Sequence, residues 1–186
     1  MQNKINLRTA VLIILMLGAA LSRMIPHPYN FAPIGALGLF GAAYFSQRWL
    51  AILLPLISLW ISDIVINNTL YAKYYNGFTI FYDEWYWIYG TLALTSVIGF
   101  YTLKTVNVKT VLGSSLIASA LFFLLTNFAC WPGNNSYSQN LDGLMQCYAA
   151  GVPFFKGTLA GNLFYSALLF GGFELAKKNF PLLQPA

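Results

Sequence analysis

Very few residues in this chain could do chemistry, and they are scattered. There is one histidine, His27, with five acidic residues and two cysteines, Cys130 and Cys147. No HExxH, GxSxG or phosphate-binding glycine loop occurs, and no two carboxylates share a helix face. Neither a nucleophile with its base nor a nucleotide-hydrolysing loop is therefore assembled, and the chain reads as a non-enzyme. The cysteines bracket a Gly/Asn/Ser-rich loop but lack CxxC or His/Cys spacing, so no metal centre and no cofactor are expected. Two states of the thiols stay open. They form a disulfide if that loop faces an oxidising compartment, or they remain unpaired and pack as small apolar groups.

The elements that must position these residues are set by composition. The chain is 58% hydrophobic and 8% charged, with a mean hydropathy of +0.62, against about 25% charged in an ordinary soluble domain. Its apolar stretches reach the roughly 17–25 residues that a helix needs to cross a bilayer, and they lack the period-two alternation of a barrel strand. The expectation is an all-α, polytopic membrane protein, a single integral membrane domain over residues 1–186. The net charge of +5 and pI near 9.2 do not imply a nucleic-acid partner, because the basic residues stand singly at the ends of apolar runs, where they act as topology signals. Lys4 and Arg8 precede the first run, but no small-x-small cleavage site follows, so the run is read as a retained span.

Spans are expected at Thr9–Ile25, Pro33–Phe45, Trp49–Ile66, Tyr86–Leu103, Val108–Cys130 and Phe154–Leu175. The second is short enough to be a re-entrant segment, and charge decides the matter. With six crossings, Lys4, Arg8, Arg48, Lys104, Lys109, Lys177 and Lys178 lie inside and only Arg23, Lys73 and Lys156 outside. With five, the inner set shrinks to Lys4, Arg8, Lys73 and Lys156. The positive-inside rule selects a six-helix bundle in the bacterial cytoplasmic membrane with both termini cytoplasmic. The inner turns are then short, and three outer loops remain: the proline segment around His27, Asn67 to Trp85, and Trp131 to Pro153. Within the last, LMQCYAAGVP has the makings of a short surface helix.

Charged and amide groups in such spans need a reason, because desolvating them is costly. Arg23 and Asp63 sit at similar depth near outer helix ends and are expected to form an ion pair, either as a structural clamp or in contact with a ligand. Asn127, near the end of the fifth span, and Asn162, about 12 Å into the sixth at 1.5 Å per residue, serve interhelical hydrogen bonding or ligand contact. With His27, Asn30 and Trp131 they are the candidate lining of an outer pocket. Glu174 is expected to pair with Lys177 or Lys178 at one helical turn and to be solvated. The aromatic residues Tyr71, Tyr74, Tyr75, Phe78, Phe81, Tyr82, Trp85 and Trp87 are more than an interfacial belt usually needs, and they serve either as interfacial anchors, which account for about half of them, or as a stack for a flat ligand.

Prolines 26, 28 and 33 break the chain before a helix of small residues. There Ala32/Ala36 and Gly38/Ala42 repeat at i, i+4, a face against which another helix can approach closely.

The segment Pro28-Tyr29-Asn30-Phe31-Ala32-Pro33-Ile34-Gly35-Ala36-Leu37, the Ser62-Asp63 step, Thr126-Asn127-Phe128, and Pro153-Phe154-Phe155-Lys156-Gly157-Thr158-Leu159-Ala160-Gly161-Asn162-Leu163 resemble a family of uncharacterised bacterial membrane proteins. That family is similar to the S components, the substrate-binding subunits, of energy-coupling factor (ECF) transporters. The resemblance implies a six-helix bundle that captures a vitamin or cofactor precursor from outside. It also implies an ATPase module and a coupling membrane subunit as partners. Two features depart from the S-component pattern: the first span has the small pair Gly18/Ser22 without an alanine repeat, and Asn162 stands where an acid is expected. The rival reading is an accessory or assembly subunit of a larger membrane complex, with its Gly/Ala faces as docking surface and no ligand of its own.

Overall fold

In a computed structural model, which describes residues 7–184, all regular secondary structure is helical. The main helices are α1 (Leu7–Leu21), α2 (Ile34–Tyr44), α3 (Arg48–Asn68), α4 (Trp85–Thr102), α5 (Val108–Ala129) and α6 (Leu141–Ser166). A π-helical turn at Ala167–Gly171 joins α6 without a break to α7 (Gly172–Asn179). Four of these segments are long and apolar enough to cross a membrane: Leu7–Met24, Arg48–Asn68, Val108–Ala129 and the rod Leu141–Asn179. The protein is a multi-pass membrane protein by this measure.

The distribution of polarity agrees. Ser58, Ser62, Thr91, Thr95, Ser96, Ser114, Ser115, Ser119 and Ser166 are buried, while Ile14, Leu53, Ile57, Leu94, Leu112, Leu116 and Leu168 face outward. Small hydroxyl residues inside and bulky aliphatics outside is what a bundle solvated by lipid requires, because helices there associate through close packing and hydrogen bonds. Many of these hydroxyls satisfy themselves on the preceding turn, as Thr95 does on the Thr91 carbonyl and Ser119 on that of Ser115. Ser115 Oγ also donates to Ser166 Oγ and ties α5 to α6.

The short α2 is the hub and packs on α1, α3, α4, α5 and α6. Its glycines explain how. A side chain at Gly41 would strike the Ala51 carbonyl and Pro55 of α3, one at Gly38 would press on the Leu92 carbonyl and Ser96 of α4, and one at Gly35 would meet the Asn162 side chain of α6. Gly99 of α4 in turn admits Ala42. The small-residue face foreseen in the sequence is thus filled by the chain's own helices. Ala36, Gly38 and Ala42 lie on α2, and Ala32 lies just before it in the proline segment.

One boundary differs widely from the sequence reading. The last long helix starts at Leu141 instead of Phe154, and the supposed surface helix is its first turns. Asn140 caps it by accepting from the Gly143 N–H at 3.0 Å, with Asp142 in the positive first turn. Pro153 lies within the helix and removes one backbone donor, a loss that membrane helices tolerate. The rod Leu141–Asn179 has 39 residues and measures about 58 Å at 1.5 Å per residue, well beyond a hydrocarbon core of about 30 Å.

At one end of the bundle Arg8 Nη2 donates to the Tyr44 carbonyl at 2.8 Å, Tyr44 Oη donates to Glu174 Oε1 at 2.7 Å, and Lys177 Nζ donates to the same carboxylate at 2.9 Å. The expected Glu174–Lys177 pair is present, but Glu174 is not simply solvated, since it ties α7 to the end of α2. The start of α1 and the end of α7 therefore share one end of the bundle. Lys4 lies outside the described residues.

Candidate functional site

The opposite end carries the polar groups. Arg23, in the single 3₁₀ turn Ser22–Met24 that closes α1, donates through Nη1 to Asp63 Oδ1 at 2.6 Å and to Ser62 Oγ at 3.2 Å. Ser62 donates onward to the Ala20 carbonyl at 2.8 Å, and Tyr89 Oη donates to Asp63 Oδ2 at 2.8 Å. Asp63 is 2% exposed, and each of its oxygens holds a donor from a different helix segment. The predicted ion pair is therefore the centre of a network joining α1, α3 and α4.

Above this network lies a cavity of about 480 Å³. Its floor is Arg23, Asp63, Asn162, Ile34 and Gly35. Its walls are Ile66 and Asn67 of α3, Ile88 of α4, Phe122 of α5 and Thr158 of α6, and its rim is His27, Tyr29, Asn30, Tyr71, Tyr75 and Tyr82. Asn162, 2% exposed, donates through Nδ2 to Ser119 Oγ at 3.0 Å. Tyr82 lies in the loop before α4, where burial and the nearby Asp63 carboxylate push its phenol well above the usual tyrosine range, so it stays protonated as a donor.

The rim over α6 has a sequence cause. Gly157 and Gly161 are spaced i, i+4 on α6. A Cβ at Gly157 would run into the Tyr29 carbonyl, and one at Gly161 would lie 2.7 Å from the Ala32 nitrogen. The proline segment thus lies in a groove that only glycines leave open. Asn30 adopts φ 59° there, the left-handed region that Asn enters more readily than most residues.

A second cavity of about 460 Å³ adjoins the first and shares Asn30, Ile88, Phe122 and Thr158 with it. Asn127, Cys130, Cys147 and Gly151 line it. Both cysteines are free thiols, and Cys147 Sγ donates to the Asn127 carbonyl at 3.3 Å. No group of three or more metal-ligating side chains occurs among the described residues.

Of the candidates named from sequence, His27, Asn30, Asp63 and Asn162 thus converge on the first cavity together with Arg23, and Asn127 borders the second. His27 is exposed at the rim, its Nδ1 bonded to the Pro28 carbonyl at 2.8 Å. Trp131 lines neither cavity. Its Nε1 donates to the Ser138 carbonyl at 2.9 Å and braces the loop before α6. The aromatic group also divides: Tyr71, Tyr75 and Tyr82 face the cavity, Phe81 stacks on Trp85 at 4.4 Å, and Tyr74 and Phe78 are exposed. The sequence reading missed Asn67, Tyr89 and Thr158. The spacing of Asp63 and Asn67 at i, i+4 was the available signal for the first.

No curated protein and no solved structure matches the chain. Over residues 3–183 it matches a family of unknown function, DUF6580, and that span takes in nearly the whole sequence, the proline segment, the Arg23–Asp63 network and the glycine groove included. The protein is a member of the DUF6580 family.

Proposed function

We propose that this protein is the substrate-binding membrane subunit of an ECF-like uptake transporter, capturing a vitamin-like molecule or cofactor precursor from the outer side of the bacterial cytoplasmic membrane. The observation that carries the reading is the first cavity. At about 480 Å³ it falls within the roughly 300–1,000 Å³ of small-ligand sites, with apolar and aromatic walls around a few placed polar groups. In this reading the chain crosses six times: α1 to α5 once each, and the α6–α7 rod once. The shared end of α1 and α7 supports an even count. Arg8, Lys177 and Lys178 stand at that end, and Arg48 lies there over the Phe100 ring at 5.5 Å, a cluster of basic residues that supports taking it as the cytoplasmic side under the positive-inside rule.

Capture then uses the proline segment and the Tyr71–Tyr82 loop as rim, and delivery uses reorientation driven by partner ATPases through a coupling membrane subunit. The test is direct. Protein purified in nanodiscs is titrated by calorimetry against a panel of vitamins and cofactor precursors, and gentle purification identifies what accompanies it. Saturable binding of one compound with ATPase partners is the expected result. No binding across the panel, with stable association to non-transport subunits, would replace this reading with that of an accessory subunit.

A further inference from the structure

The first cavity also constrains what it would hold, and this inference rests on the ligand-binding reading above. Asn67 is 5% exposed and lines the cavity. Its buried Nδ2 has no partner, and no hydrogen bond among the described residues engages either end of its amide. Buried amides are normally paired, so one left unpaired on a residue that lines a cavity is a group prepared for something that enters. An asparagine amide presents a donor beside an acceptor in one plane, and its complement is a planar edge that offers an acceptor beside a donor.

Charge narrows the class further. Among the lining residues the charged side chains are Arg23 and Asp63, and these neutralise each other at 2.6 Å. A ligand with a net charge would enter without a counter-charge, and a carboxylate would set an anionic oxygen against the Asn67 carbonyl oxygen. Tyr75 and Tyr82 at the rim, with Ile66, Ile88 and Phe122 in the walls, suit a flat ring. We propose that the ligand is a neutral planar heterocycle carrying an amide-type edge, a primary carboxamide or a lactam, which pairs with the side-chain amide of Asn67.

The experiment uses the full chain in nanodiscs and two matched probe pairs, nicotinamide with nicotinate and pyrazinamide with pyrazinoate, titrated into wild type and Asn67→Ala. The amides are expected to bind saturably and each acid at least about tenfold more weakly. Asn67→Ala is expected to lower amide affinity by about tenfold, the worth of one well-made buried hydrogen bond, and to leave acid affinity unchanged. Acids binding as tightly as amides would overturn this inference and leave the ligand-binding reading standing. No binding by any of the four probes would also overturn it. Silence across the vitamin panel as well would remove the parent reading. Should Asn67→Ala fail to fold, the amide–acid comparison on wild type decides alone.

Discussion

Asp63 holds Arg23 with one oxygen and Tyr89 with the other, so its removal strands a guanidinium and a phenol at once. Asp63→Ala is expected to cost about 3 kcal/mol, the low end for a broken buried pair because the Arg23 side chain keeps 20% exposure. The check is thermal unfolding in detergent, in which Asp63→Asn should fall between the variant and wild type. The pair was legible from sequence because two isolated charges at matching depth in apolar segments have few other partners. Asn67 was not, because the loop was taken to begin there. The helix instead continues to Asn68, whose amide donates to the Ile64 and Thr79 carbonyls and accepts from the Thr79 N–H. That local clamp carries Asn67 one turn beyond Asp63 on the same face. Trp131 was named among the pocket lining, but it lines neither cavity and its indole N–H is satisfied within its own loop.

At the level of elements, the proline segment depends on the groove in α6. Gly157→Ala puts a methyl group into the Tyr29 carbonyl, and backbone cannot yield as a flexible side chain would. The segment is expected to lift, ligand affinity to fall by at least about tenfold for a misplaced rim, and protease cleavage near Tyr29 to accelerate, while α1 to α5 keep their packing. Limited proteolysis with circular dichroism separates that outcome from general unfolding. The small-residue character of α2 was readable because glycine and alanine at i, i+4 have few uses in an apolar helix. The sequence reading put the start of this span at Phe154, just after Pro153, where a proline would ordinarily mark a helix boundary. In water that rule is sound, but here Asn140 supplies the cap and the surrounding helices and lipid leave the backbone no better alternative than its own hydrogen bonds.

At the scale of the whole molecule, hydropathy carried the all-helical, multi-pass architecture, since lipid demands that each spanning segment satisfy its own backbone. The cavity could not be read in the same way. Its lining comes from two connections, α1–α2 and α3–α4, and five helices, and only packing brings them together. Orientation is open to a simple check. In a background without Cys130 and Cys147, Ser46→Cys is expected to react with an impermeant maleimide only after the membrane is opened, and Ser136→Cys in intact cells. Both serines are exposed, so an unreactive site reports sidedness rather than burial.

The contact between α1 and the last 3₁₀ turn has a wider consequence. The 3₁₀ turn Pro181–Leu183 packs on α1, and the Arg8–Tyr44–Glu174 chain of hydrogen bonds lies beside it. The described segment thus brings α1 back beside Pro181–Leu183, and a short linker from Gln184 to Leu7 would join the two, with new ends opened in the exposed turn at Ser46 and Gln47. Every span would keep its direction in the bilayer under that circular permutation. A permuted protein that still folds would mean that packing, and not the order of insertion, writes the architecture.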